Sequence, residues 1–225
     1  MNNIQTYWER IGTNDPHWGV LTHDKFRTRN INNNLEEFFE SGRIDFDIIN
    51  NYFRKYNDIS NPNILEIGPG VGRMSVSAAK VADHITCVDI SRSYLSELEN
   101  TFNKNNITNY TAVQLDDFIE DLNLNGFDLL YTVITLQHSY PDIIKSVLRR
   151  SFKSMNSGGV GYIHIPYHMK DACADRDDVM QMHYLKQDEF RNICNEFNVQ
   201  IHEIIDPADK CGPYIKDCIY ITQKK

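Results

Sequence analysis

The segment Ile64-Leu65-Glu66-Ile67-Gly68-Pro69-Gly70-Val71-Gly72 constrains this chain more than any other stretch. A run of strand type, Asn63 to Ile67, leads straight into three alternating glycines. A helix-type stretch, Gly72 to Ala82, comes next, with Met74, Val76, Ala79 and Val81 available for packing. Glycine permits a tight turn and lets backbone N–H groups approach a bound group at a helix start. Taken alone the string also fits an ordinary glycine turn. Its spacing departs from the G-x-G-x-x-G dinucleotide fingerprint.

The stretches beyond the loop give it context. His84 to Asp89 reads as a second strand, and Ser91 caps a helix carrying Leu95, Leu98 and Phe102 at helical spacing. Tyr110 to Leu115 is a third strand. Phe127 to Thr135 is an apolar run suited to a central strand buried on both faces. Pro141 to Ser154 is a helix with proline near its first turn, Asn156 to Gly159 a turn, and Val160 to Ile165 a fifth strand. Lys186 to Phe197 is helical, and Val199 to Ile205 and Cys218 to Gln223 are the last strands. Such alternation predicts an α/β fold with a mostly parallel sheet and helices on both faces, its ligand site beyond the carboxyl ends of the strands. Residues 1–58 differ: they are dense in aromatics and hold two helical pieces, Leu35 to Glu40 and Asp45 to Tyr56, with a break at Ser41-Gly42. The expected division is a helical lid over 1–58 and a ligand-binding domain over 59–225.

Bulk properties exclude some functions. The 225 residues carry a net charge of −8 with scattered basic residues, which argues against nucleic acid as partner. No run of about 18 apolar residues suggests a membrane span, and the N-terminus does not read as a secretory signal. Five cysteines (Cys87, Cys173, Cys194, Cys211, Cys218) show no C-x-x-C spacing, so reduced thiols and a cytoplasmic location are expected. The oligomeric state is not legible.

Two acids complete the glycine loop. Glu66 stands two places before the first glycine. Asp89 ends the second strand, near the offset at which a carboxylate grips a ribose diol. The alternative reading of Asp89 is a cap for the Ser91 helix. Together Glu66 to Gly72, Asp89, Asp116-Asp117, the Phe127 to Leu130 strand and Asn156 to Gly159 resemble a class I S-adenosylmethionine (SAM)-dependent methyltransferase over about residues 60–225. The resemblance implies a Rossmann-like seven-stranded sheet with an antiparallel last strand, SAM as cofactor and S-adenosylhomocysteine (SAH) as product. It implies a cofactor set of Glu66, Gly68, Gly70, Gly72, Arg73, Asp89, Ile90, Asp116, Asp117 and Thr132. Within it the glycine loop holds the methionine part, Asp89 the ribose, Ile90 the adenine ring, and one of Asp116 and Asp117 the adenine amino group.

Methyl transfer is an in-line displacement at carbon, so the protein has to align the acceptor and take its proton. His138, in Leu136-Gln137-His138-Ser139, is a candidate base suited to neutral pH, or else a packing histidine that shapes the pocket. His168 is its rival. Tyr167 and His168, in the loop expected after the fifth strand, are candidate acceptor contacts, whereas His164 reads as a strand residue. His164, His168 and Asp171, Asp175, Asp177 or Asp178 match no metal-site spacing, so no metal is expected. Trp8, His17 and Trp18 are candidates to close over the sulfonium or the acceptor, since aromatic faces attract cations; alternatively they pack the lid on the sheet. The expected activity is methylation of a small polar acceptor, on oxygen in preference to nitrogen or carbon: a sugar, a nucleotide-linked or a phosphate-type metabolite. The alternatives are amine N-methylation, SAM binding without transfer, and a nicotinamide enzyme.

Overall fold

The computed structural model describes residues 3–115, 126–169, 180–207 and 215–225. Seven strands form one sheet: β1 (Asn63–Ile67), β2 (His84–Asp89), β3 (Tyr110–Gln114), β4 (Phe127–Thr132), β5 (Met155–Met169), β6 (Val199–Ile205) and β7 (Ile215–Lys224). Their order is β3-β2-β1-β4-β5-β7-β6. β1 to β5 pair in parallel, and β7 runs antiparallel to both β5 and β6. The order reverses between β1 and β4, which opens a crevice beyond the carboxyl ends of those strands.

Both faces of the sheet are covered. On one, Ile64, Ile85, Leu129 and Tyr131 pack against α3 (Leu35–Tyr56), α4 (Ser75–Ala79) and α5 (Arg92–Lys104). On the other, Leu65, Leu130, Ile163 and Tyr220 pack against α6 (Pro141–Ser154) and α7 (Gln187–Glu196). β4 is buried along its whole length, as expected of a central strand between two helical layers. The N-terminal segment adds α1 (Asn3–Asn14) and α2 (Pro16–Val20). Its Phe26, Ile31 and Phe38 form a smaller core with Val71 and Tyr94 on the glycine-loop side of the domain. The chain has no helix long and apolar enough to cross a membrane among the described residues. Of the five cysteines, Cys87, Cys194 and Cys218 are buried free thiols, and Cys173 and Cys211 lie outside the described residues.

Four local expectations change. The Ser41-Gly42 break is absent, because α3 runs unbroken from Leu35 to Tyr56. Gly42 is there for space: a Cβ would stand 2.0 Å from the carbonyl oxygen of Arg73. Gly42→Ala is therefore expected to cost about 2 kcal/mol through overpacking against backbone that cannot step aside. The check is a lowered urea midpoint at unchanged m-value. The helix after the glycine loop is short, Ser75–Ala79, preceded by turns. β4 ends at Thr132, because Ile134 takes a left-handed φ of 53°. The Asn156 to Gly159 turn is instead the start of β5. Met155 pairs with Phe127, and a register shift absorbs the extra residues, with Asn156 Nδ2 donating to Asp128 Oδ1 at 2.8 Å.

Candidate functional site

The glycine loop folds back on its own sheet. Gly68 N–H donates to the Val88 carbonyl at 2.8 Å and Gly72 N–H to the Pro69 carbonyl at 3.0 Å. Gly68, Gly70 and Gly72 all have positive φ. At Gly70 the requirement is double: φ is 55°, and a Cβ would lie 2.5 Å from Val20 Cγ2 of the N-terminal segment. Between loop and segment lies a cavity of about 420 Å³, within the range of small-ligand sites. Gly68, Pro69 and Gly70 line it from β1, Asp89 and Ile90 from β2, and Val133 to Ser139 from β4. Trp8 and Gly19 to Thr22 close it from the N-terminal side.

Two of its walls differ in chemistry. Ile90, Leu115, Leu136, Ile143 and Val147 all line the cavity and belong to one apolar cluster, which makes a slot suited to a flat ring. At its edge stands Asp89, whose Oδ1 accepts from Ser91 N–H at 2.9 Å. Burial pushes this carboxyl up to about 6, while the backbone N–H groups of Ser91, Gly70 and Ile90 pull the other way. Arg73 also lines the cavity. Its guanidinium is met by Asp45 at 2.8 Å and by Ser41 Oγ at 3.1 Å. Among the described residues, Arg73 and Asp89 are the only Lys, Arg, Asp or Glu side chains on the lining.

His138 sits on the β4 side of the cavity, buried, with its ring 4.9 Å from that of Trp8. Its Nδ1 lies 2.9 Å from the Gln181 carbonyl, which can only accept, so Nδ1 carries the proton and donates. Nε2 is thereby left with a lone pair. Burial lowers the imidazole to about 4, opposed by the Gln181 carbonyl and reinforced by His183. At neutral pH the ring is therefore uncharged and held in one tautomer.

The structure places several expected site residues elsewhere. Tyr167 and His168 are not in a loop. β5 continues to Met169 because β7 pairs with it as far as Ile215, so Tyr167 packs on the apolar core and His168 is exposed opposite Lys216. Neither lines the cavity. His17 packs edge-on against Phe38 at 5.0 Å, and Trp18 is covered by the Arg27 guanidinium at 3.8 Å. Both serve the N-terminal core and stay off the lining. Thr132, buried in β4, and Gly72, the last glycine of the loop, are also off the lining. His164 is buried in β5, its Nε2 2.6 Å from Asp217 Oδ2. Asp116 and Asp117, and the run from Asp171 to Asp178, lie outside the described residues. No cluster of three metal-ligating side chains occurs among the described residues.

Glu66 is placed under the loop, not on the cavity, and is almost fully buried. Burial raises its carboxyl to about 7, against the pull of the Ser75 and Tyr131 hydroxyls, Arg73 and the Cys87 thiol. The folded state therefore holds this proton where the unfolded chain has lost it, so stability falls as pH rises from about 4.5 to about 7. Glu66→Gln is expected to be more stable than the parent at pH 8, by up to ~3 kcal/mol, and equal to it near pH 4. Denaturant unfolding of the two proteins across this range isolates the difference.

Sequence reasoning missed other lining residues. Tyr94 comes from the first turn of α5, Val20 and Leu21 from the end of α2, and Met180 and Met182 from the stretch before α7. Ile134 reads as strand by composition. Its left-handed backbone, rare for a β-branched residue, leaves the side chain 39% exposed on the lining. Strain of this kind concentrates at functional sites.

Residues 64–159 match a family model described as a methyltransferase domain. A comparison with curated protein sequences gives no match. Among solved structures, a SAM-dependent methyltransferase from Clostridium acetobutylicum is similar at 16% identity and a TM-score of 0.63, over 82% of this chain and 91% of that one. Magnesium protoporphyrin IX methyltransferase from Synechocystis, with bound SAM, is similar at 12% identity and a TM-score of 0.69, over 100% and 98%. The N-terminal domain of EvdMO1, with SAH and D-fucose, is similar at 12% identity and a TM-score of 0.60, over 80% and 82%. At these identities the likeness is one of fold. Residues 64–159 thus match a methyltransferase domain, and the chain as a whole has the Rossmann-like fold of the SAM-dependent methyltransferases it is similar to.

Proposed function

We propose that the chain transfers the methyl group of SAM to a hydroxyl of a small, neutral acceptor, with His138 taking the proton. The cavity fits the cofactor by its chemistry. The cradle at Gly68 to Gly70 has no room for a Cβ, the Asp89 carboxylate suits a diol, and the slot of Ile90, Leu115 and Leu136 suits a purine. Gly68, Gly70 and Arg73 would hold the methionine part. Bound SAM supplies a methyl group made electrophilic by its sulfonium.

The chain's own residues do the rest. The observation that carries the reading is His138, a residue of the cavity lining whose Nδ1 is committed to the Gln181 carbonyl, which leaves Nε2 as the nitrogen with the lone pair. A base near 4 is adequate here. A hydroxyl oxygen becomes strongly acidic only as its new bond to carbon forms, so the proton moves late and downhill. The imidazolium then returns the proton to water. Trp8, Leu21, Met180 and Met182 present an apolar surface to the acceptor. Arg73, already paired with Asp45 and assigned to the methionine part, is the sole Lys or Arg on the lining among the described residues, so these offer no further counter-charge to a phosphate-type acceptor. The acceptor class is therefore narrowed from polar metabolites in general to a neutral hydroxyl compound. Residues 1–58 act as the lid that selects it, over a domain spanning 59–225.

Purified protein incubated with methyl-labelled SAM and parallel panels of neutral alcohols and phenols, phosphorylated sugars and amines tests this. Label is expected in the neutral hydroxyl panel. Label confined to amines or to phosphorylated compounds sinks it.

A further inference from the structure

The first turn of α5 comes directly after Asp89 and Ile90, and its N–H groups have four identifiable partners. Leu95 N–H donates to the Ser91 carbonyl at 3.2 Å, and Tyr94 N–H to Ser91 Oγ at 3.2 Å. The remaining two, Arg92 N–H at 2.5 Å and Ser93 N–H at 3.0 Å, donate to the carboxylate of Glu9 in α1, as does Ser93 Oγ at 2.5 Å. A helix start is normally satisfied by its own residues or by water. Here half of it is satisfied from 83 positions away.

Other contacts reinforce this one. Gln5 Nε2 donates to the Ile90 carbonyl at 3.1 Å, and Tyr94 Oη to the Pro16 carbonyl at 3.2 Å. Trp8, one residue before Glu9, lies against His138 and lines the cavity. The segment that closes the site is thus fastened to the same turn that carries the diol-binding acid.

We propose that Glu9 is a positioning residue that latches the N-terminal segment across the cofactor cavity by capping α5, so that cofactor release requires this cap to break. The proposal rests on the cofactor reading above for its ligand, but not for the latch itself. Glu9→Ala removes three hydrogen bonds to a charged group and leaves two N–H groups that water can reach. The N-cap Ser91 is kept.

Two measurements on the full chain test it. Both protein tryptophans, Trp8 and Trp18, lie in the segment, so stopped-flow tryptophan fluorescence follows its release. Glu9→Ala is expected to speed SAH dissociation about tenfold, with association changed less than about threefold. Glu9→Gln, which keeps one acceptor oxygen, is expected to fall between. Asn105→Ala loosens the far end of the same helix, where Asn105 Nδ2 bonds the Thr101 carbonyl at 2.8 Å. It is expected to leave SAH dissociation unchanged; if it matches Glu9→Ala, the role of Glu9 is merely structural and the latch is refuted. Amide exchange without ligand gives the second measurement. Glu9→Ala is expected to raise exchange over residues 3–14 while β1 and β4 keep their protection. Unchanged exchange there overturns the latch, whatever SAH does. Absence of SAH binding to the parent protein overturns the cofactor reading instead, and exchange alone then decides the latch.

Discussion

Asp89→Ala is expected to weaken SAH binding by two orders of magnitude or more. A carboxylate that accepts two ribose hydroxyls contributes about 1.5–3 kcal/mol per bond, and 1.4 kcal/mol is a factor of ten. The side chain also accepts from Ser91 N–H, so part of any loss would come from the turn. Asp89→Asn separates the two, since it keeps an acceptor for Ser91 but loses the charge. It is expected to fold like the parent and bind SAH at least about tenfold more weakly. Because burial holds the Asp89 carboxyl up to about 6, the parent's affinity is expected to fall as pH drops through that value. Isothermal titration of the three proteins between pH 5.5 and 8 checks both statements. Equal affinity of Asp89→Asn and parent at pH 8 would remove Asp89 from the site.

His138→Asn is the second large effect. The asparagine amide can still donate to the Gln181 carbonyl, as Nδ1 does, but it is no base. Turnover is expected to fall about 10²–10⁴-fold, with SAH affinity within about threefold of the parent. The pH profile carries a sharper sign. The neutral imidazole dominates above about 4, so turnover at saturating SAM, which cancels the affinity loss expected from Asp89, is expected to stay level from pH 8 down to about 5 and to drop only as pH falls through about 4. An ordinary histidine would bring that drop near 6.5. The same shift bears on stability. Between about 4 and 6.5 the unfolded chain binds the proton more readily, so His138 contributes stability above 6.5 that is lost as pH falls through this window. A turnover limb at 6.5 under saturating SAM, or unaltered turnover in His138→Asn, would return His138 to a packing role.

Where local signals agreed with tertiary demands, the sequence was readable. β2 ends at Asp89 and α6 spans Pro141 to Ser154, as its proline and apolar spacing indicate. The alternation of strands and helices sufficed for the sheet, and the glycine loop for the cavity floor. Gly42 shows the limit of that logic. A glycine inside a helix reads as a break, and only the nearness of the Arg73 carbonyl explains why the helix continues. Tyr167 and His168 show another. Their β-strand is extended by pairing with β7, some fifty residues on, which no local pattern announces. Ile134 resembles strand in composition but turns left-handed to open the site. Glu9 and Gln5 carry no signal at all in sequence, because their partners lie at Arg92, Ser93 and Ile90. Other lining residues were the least legible for the same reason: Leu21, Tyr94, Met180 and Met182 come together only in space, whereas Trp8 was singled out from the sequence and does line the cavity.

A crystal structure of the SAH complex tests the central claim most directly. The ribose diol is expected on the Asp89 carboxylate, the adenine between Ile90 and Leu136, and the sulfur facing the space that His138 borders. A ligand whose diol lies away from Asp89, or whose sulfur is shut off from His138, would contradict it.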